Sequence, residues 1–259
     1  PGSSHDLRSA RADADDVDRA LLRSGVPADH IVAIRDTQAS ARVVRLAAQW
    51  LVARAGADSL AVFFYAGHAR RIGPSTQAVV GADGQLVTDR ELASLLAPLR
   101  SRQAWIGMAA CYGAGFDELL APGRVLTGAA PANALAYENS GFGRSYMVEY
   151  MIRQAMLERL APGTVQDAFG FARSRIAQDY PGREPVQIDA GADPLSFAGP
   201  ALSASPSSAS AGGQAGRTSS GGPTSDAPSS DSQPGPTTTT TAPPPRRNCV
   251  PTPLGRVCQ

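Results

Sequence analysis

The sequence predicts an α/β fold built on a mainly parallel sheet, and three observations carry that expectation. Three short, nearly continuous apolar runs, residues 60–66, 104–110 and 124–130, have strand length and no polar face. That is the pattern of strands covered on both sides. Around them lie longer segments with helical spacing of apolar residues, opened by capping residues or closed by Gly or Pro. Helices alternating with buried strands imply right-handed crossovers, and sites that form beyond the carboxyl ends of the strands.

In chain order, residues 9–24 (SARADADDVDRALLRS) are the first helix. Asp residues crowd its first half, where the helix dipole favours them. Val17, Leu21 and Leu22 form its apolar stripe, and Gly25 and Pro27 end it. Residues 30–35 (HIVAIR) read as a strand. Residues 39–55 form a second helix, with Val43, Val44, Ala47, Trp50 and Leu51 at helical spacing and Gly56 closing it. The buried run 60–66 comes next, then a short strand at 77–81. Thr88-Asp-Arg-Glu91 is a capping box that opens a helix to about Leu99. Residues 104–110 are the second buried strand, 116–120 a short helix and 124–130 the third buried strand. Residues 143–160 and 164–179 read as helices, the latter on a Thr164-x-x-Asp167 cap, and 185–188 as a last strand.

Residues 1–200 are expected to fold as one domain. Residues 201–245 are rich in Ser, Thr, Pro and Gly, cannot bury enough apolar surface, and read as a disordered linker. Residues 246–259 are a short tail carrying Cys249 and Cys258. A local disulfide there needs an oxidising compartment; the alternative is two free thiols. The compartment is left open, with the linker and this cysteine pair leaning toward an extracytoplasmic location.

The chain has 259 residues, 42% hydrophobic, and 24 basic against 23 acidic side chains. A net charge of +1 points to neither nucleic acid nor an anionic membrane as main partner. Lysine is absent, which removes lysine nucleophile and Schiff-base chemistry. No apolar run approaches the ~20 residues that span a bilayer. Nothing in the sequence fixes an oligomeric state.

The chemistry converges on the ends of two buried strands. LAVFFYAGHA delivers His68 into a turn of small residues, and AWIGMAACYGAG delivers Cys111 the same way. A thiol is a useful nucleophile only as thiolate, so it needs a base or a positive neighbour. Of the three histidines, His5 lies at the start of the chain and His30 opens a strand; only His68 comes after a buried strand. Taken singly, His68 is an ordinary strand-end residue and Cys111 a small buried hydrophobe. Their shared placement favours a catalytic pair. Asp83, in GADG, is a turn former.

These residues resemble a family. FFYAGHA is similar to the strand-then-Gly-His motif of the caspase-like peptidases, including metacaspases and bacterial orthocaspases, and WIGMAACYGAGF to their nucleophile motif. The likeness spans residues 6–195, and its His-before-Cys order fits. It implies a caspase-like three-layer sandwich and a cysteine endopeptidase acting on protein or peptide substrates without metal or cofactor. His68 would be the general base and Cys111 the nucleophile. The oxyanion would be held by backbone N–H groups of Cys111 and of Gly67 or Ala69. Ala69 stands where the family has Gly, and the run Ala109-Ala110-Cys111-Tyr112-Gly113 lacks the Asp that metacaspases place before the cysteine. Glu138 is a candidate acid for a substrate-binding pocket, or else a solvated loop carboxylate, and Arg70 and Arg71 would instead favour an acidic substrate. The short gap between Cys111 and the strand at Arg124 implies a single-chain enzyme uncut at that point. The family's first strand is missing, so the sequence reads as truncated at its start. Residues 30–35 and 60–66 are then expected to be separated by a gap or abnormally paired. Two rivals remain: a catalytically inactive caspase-like interaction module, and a flavodoxin-like domain binding a small anion.

Overall fold

The computed structural model describes residues 9–161 and 163–197, and the backbone of residues 249–252 and 255–258. The linker expected at 201–245 lies outside the described residues. In chain order the helices are α1 (Ser9–Arg23), α2 (Ala41–Arg54), α3 (Asp89–Leu96) and α4 (Val165–Asp179), with a π helix at Val148–Leu157 before α4. The strands are β1 (Leu60–Ala66), β2 (Ala69–Gly73), β3 (Thr76–Val80), β4 (Leu86–Thr88), β5 (Gln103–Ala109), β6 (Arg124–Gly128), β7 (Glu138–Asn139), β8 (Arg144–Ser145), β9 (Val186–Asp189), β10 (Cys249–Thr252) and β11 (Gly255–Cys258).

The main sheet has the order β1-β5-β6-β9. β1, β5 and β6 are parallel, and β9 closes one side antiparallel to β6. These strands send alternate side chains to two helical layers. Phe64, Trp105 and Val125 pack with α1, the π helix and α4. Phe63, Ile106 and Leu126 pack with α2 and α3 on the other face. The result is a three-layer α/β fold with a mainly parallel sheet. Trp105, Ile106, Met108 and Leu126 are fully buried, each contributing about 1.5–3 kcal/mol of apolar burial. The one polar atom of the Trp105 ring is satisfied: its Nε1 donates to Thr127 Oγ1 at 2.8 Å. No helix among the described residues is long and apolar enough to cross a membrane.

The helix starts sit on their capping residues. Ser40 accepts from the Val43 amide and Thr88 from that of Glu91. Thr164 and Asp167 make the full reciprocal box. Asp83 acts as a turn and cap residue, its Oδ1 accepting from the amides of Ala41 (3.1 Å) and Gln85 (3.2 Å). The Ala41 bond holds its carboxyl below the usual carboxylate range.

The strand expected at 30–35 does not form. Ala28–His30 is a 3-10 turn, and residues 31–35 belong to no strand. Ile31 packs on the α1 layer, and Arg35 pairs with Asp15 and with Asp18 at 2.7 Å on α1. The apolar half of this segment is thus covered without a ladder, and it is not paired with β1. The helix expected at 143–160 begins late. Arg144 and Ser145 form β8 against β7, drawn by Asp16 to the Arg144 guanidinium and by Asp13 to the Ser145 amide. The chain then winds as a π helix, closed by an i to i+5 backbone bond from the Glu158 amide to the Arg153 carbonyl at 2.8 Å. The short helix expected at 116–120 is two 3-10 turns, Gly113–Gly115 and Asp117–Leu119. A single three-residue turn has no macrodipole of consequence, so Cys111 gains no helix-dipole support. Those turns lie within the β5–β6 connection, residues 110–123, which has no long insert.

Candidate active site

The β1–β5 register places Ala66 opposite Ala109. His68 lies two residues beyond one partner and Cys111 two beyond the other. Two parallel neighbours therefore overrun their last pair by the same length at the same carboxyl edge. His68 is exposed, in the turn that leads into β2. Cys111 is half-buried, its Sγ 4.0 Å from the Ala136 carbonyl oxygen.

The His68 turn is built by Tyr65 and Gly67. The Tyr65 hydroxyl lies 2.8 Å from the His68 carbonyl oxygen and 2.9 Å from that of Val80. Burial pushes this hydroxyl well above its ordinary pKa, so it stays a donor at working pH. The ring folds back over residue 67, where a Cβ would meet its Oη at 2.6 Å; only glycine fits under it. Tyr65→Phe removes the hydroxyl these two carbonyls share, while the His68 carbonyl keeps a further donor, the Val80 amide. We expect it to cost about 1–3 kcal/mol of stability, read as a lower urea midpoint with an unchanged m-value.

The Cys111 turn is held from three sides. Tyr112 is left-handed, with φ 58° and ψ 22°, strain of order 1–3 kcal/mol for a residue of its size. Its amide donates to the Ala134 carbonyl at 2.8 Å. Gly128, at the end of β6, lies so close that a Cβ there would approach the Ala114 nitrogen to 2.4 Å. With its amide turned to donate, Gln77 bridges the Gly115 carbonyl (2.7 Å) and Asp89 (2.9 Å). Asp89 also accepts the Gln77 amide at 2.9 Å. Both side chains are buried, so β3 and α3 fix the turn after the thiol.

The backbone donors sort themselves by ladder position. The Gly67 amide donates to the Ala109 carbonyl at 3.3 Å, extending the β1–β5 ladder. It is thereby committed, which corrects its expected place among the oxyanion donors. Val80 donates to the His68 carbonyl at 2.9 Å, so 68/80 is a hydrogen-bonded pair of the β2–β3 ribbon. By alternation, Ala69 opposite Val79 is a non-bonded pair, and its N–H points away from β3. Ala69 is also absent from the left-handed residues, so alanine costs nothing there.

Glu138 is exposed on β7, two residues beyond Ala136. It accepts from the Ser9 amide at 3.3 Å and from the Ser9 hydroxyl, which ties it to the start of α1. Behind it lies a buried acidic group that the sequence pattern does not reveal. Asp13 and Asp16 on α1 and Glu149 on the π helix are all buried. Arg144 pairs with Asp16 and lies 3.9 Å from Glu149, and Arg19 reaches Asp16 at 2.8 Å. Burial pushes the Asp13 carboxyl up to about 7, against the pull of its hydrogen bonds from Ser145. Arg71 lies in a neighbouring cleft of about 210 Å³, with Gln77, Gly115 and Asp117. Among the described residues no group of three or more His, Cys, Asp or Glu side chains is gathered as a metal site.

No family model and no curated protein matches this sequence. A structural-genomics target protein from Geobacter sulfurreducens has a similar crystal structure, with a TM-score of 0.59 at 15% identity over 73% of this chain and 86% of that one. At that identity the likeness is one of fold, and it places this chain among mixed, three-layer α/β structures.

Proposed function

We propose that this chain is a caspase-like cysteine endopeptidase. The observation that carries the reading is the equal two-residue overhang of His68 and Cys111 on adjacent parallel strands. The His68 imidazole takes the Cys111 proton, and the thiolate attacks the scissile carbonyl carbon. The Cys111 and Ala69 amides receive the oxyanion. Collapse expels the amine, which leaves with the proton from His68, and a water deprotonated by His68 then hydrolyses the acyl-enzyme. Glu138, two residues along the chain from the Ala136 carbonyl that contacts the thiol, is the acid assigned to a basic substrate side chain. Protein or peptide is the substrate class.

The test is covalent capture by peptidyl ketone electrophiles carrying Arg, Lys or Asp next to the ketone. Mass spectrometry should find the label on Cys111, with Arg or Lys forms fastest. His68→Ala should slow labelling by about 10²-fold. Labelling at an equal rate in the two proteins would remove the base from the reading. Failure of every electrophile to label Cys111 would favour a binding module instead.

A further inference from the structure

We propose that Cys249 and Cys258 are joined as a disulfide that closes the β10–β11 hairpin and leaves Cys111 the chain's free thiol. The antiparallel register sets Cys249 opposite Cys258, Val250 opposite Val257, Pro251 opposite Arg256 and Thr252 opposite Gly255. Proline has no N–H, so Pro251 and Arg256 cannot be a fully hydrogen-bonded pair. Bonded and non-bonded pairs alternate along an antiparallel ladder. Two steps from Pro251, positions 249 and 258 are therefore a second non-bonded pair of the ladder. That is the closer class, with Cα atoms about 4.5 Å apart, inside the range of about 4.4–6.8 Å that a disulfide spans.

Economy argues the same way. The chain holds three cysteines, and two of them occupy paired register positions of one four-pair hairpin. A two-stranded hairpin is at best marginal in water by itself. Units too small for a core use cross-links instead. The segment before it, residues 201–245, offers few apolar residues to pack against.

The oxidant is a disulfide, either of a small molecule or of an exchange protein. One cysteine thiolate attacks an oxidant sulfur, forming a mixed disulfide and releasing one thiolate. The other cysteine thiolate attacks the cysteine sulfur of that mixed bond and releases the second. Two electrons and two protons pass from the pair to the oxidant. Ring closure across so short a loop outruns capture of a distant thiol, which spares Cys111.

The full chain is incubated with oxidised and reduced glutathione, quenched with iodoacetamide and digested with trypsin without reduction. Trypsin cuts after Arg247 and Arg256, so residues 248–256 and 257–259 remain together only through the bond. The expected product is the linked pair, two hydrogens lighter than the summed peptides, with alkylation of Cys111. The alkylated 248–256 peptide should fall at least about tenfold relative to the reduced sample. Alkyl groups on both Cys249 and Cys258 at a poise that closes ordinary structural disulfides would overturn the proposal. So would a link from either one to Cys111. The readout is independent of peptidase activity.

Discussion

Cys111→Ala is expected to abolish hydrolysis of a fluorogenic peptide library, a loss of about 10³-fold or more. Stability should change by less than about 1 kcal/mol, because the sulfur is half-buried and its contact with the Ala136 carbonyl is a long one, at 4.0 Å. The turn it sits in is held by other groups: the Tyr112 amide on Ala134, the Gln77 bridge and the tight approach of Gly128. Adding His68→Ala to Cys111→Ala should cost little further, since base and nucleophile act as one unit. Alanine at 68 alone should approach the same floor. Turnover and a thermal melt on each variant check this together. Residual turnover in Cys111→Ala near that of the parent would end the assignment of the nucleophile.

The parallel sheet is legible because burial on both faces writes a nearly continuous apolar run, as in LAVFFYA and AWIGMAA and, broken by Arg124 and Thr127, in RVLTGAA. The two candidate residues are legible because strand ends expose chemistry, and small residues around them permit close approach. Residues 30–35 mislead because a short apolar run signals burial, not pairing. Ile31 is covered by the α1 layer and Arg35 is captured by α1 carboxylates, with no ladder needed. β2 escapes notice because its exposed Arg70, Arg71 and Ile72 show no buried face. The supports of the site are invisible for a different reason. Tyr65 acts through a carbonyl 15 residues on, and Asp13 through an amide 132 residues away. Partnerships of that range arise from the completed fold, which no local pattern records. The resemblance to the caspase-like motif suggests Gly67 or Ala69 for the oxyanion, yet the Gly67 amide is spent on Ala109.

Asp13→Asn should stabilise the protein above neutral pH and leave it unchanged near pH 4. Asp13 is almost fully buried beside Asp16, and its Oδ1 accepts from the Ser145 amide at 3.1 Å. Desolvation is the largest influence on it, and its folded pKa stands at about 7. Between the unfolded carboxylate value and about 7, the folded protein holds a proton that the unfolded chain releases. Stability from this group is therefore intact at pH 4, falls as pH rises through that window, and levels off above it. Three units of such a window amount to roughly 4 kcal/mol at most. Asparagine keeps an acceptor for Ser145 and cannot ionise, so it removes the slope. Urea denaturation at pH 4 and pH 8 should show the variant gaining about 2–4 kcal/mol over the parent at the higher pH alone. A variant weaker than the parent at pH 8 would mean that the charge is held by Arg144 more strongly than burial opposes it. The same acid ties α1 to β8, a strand paired with the one that carries Glu138.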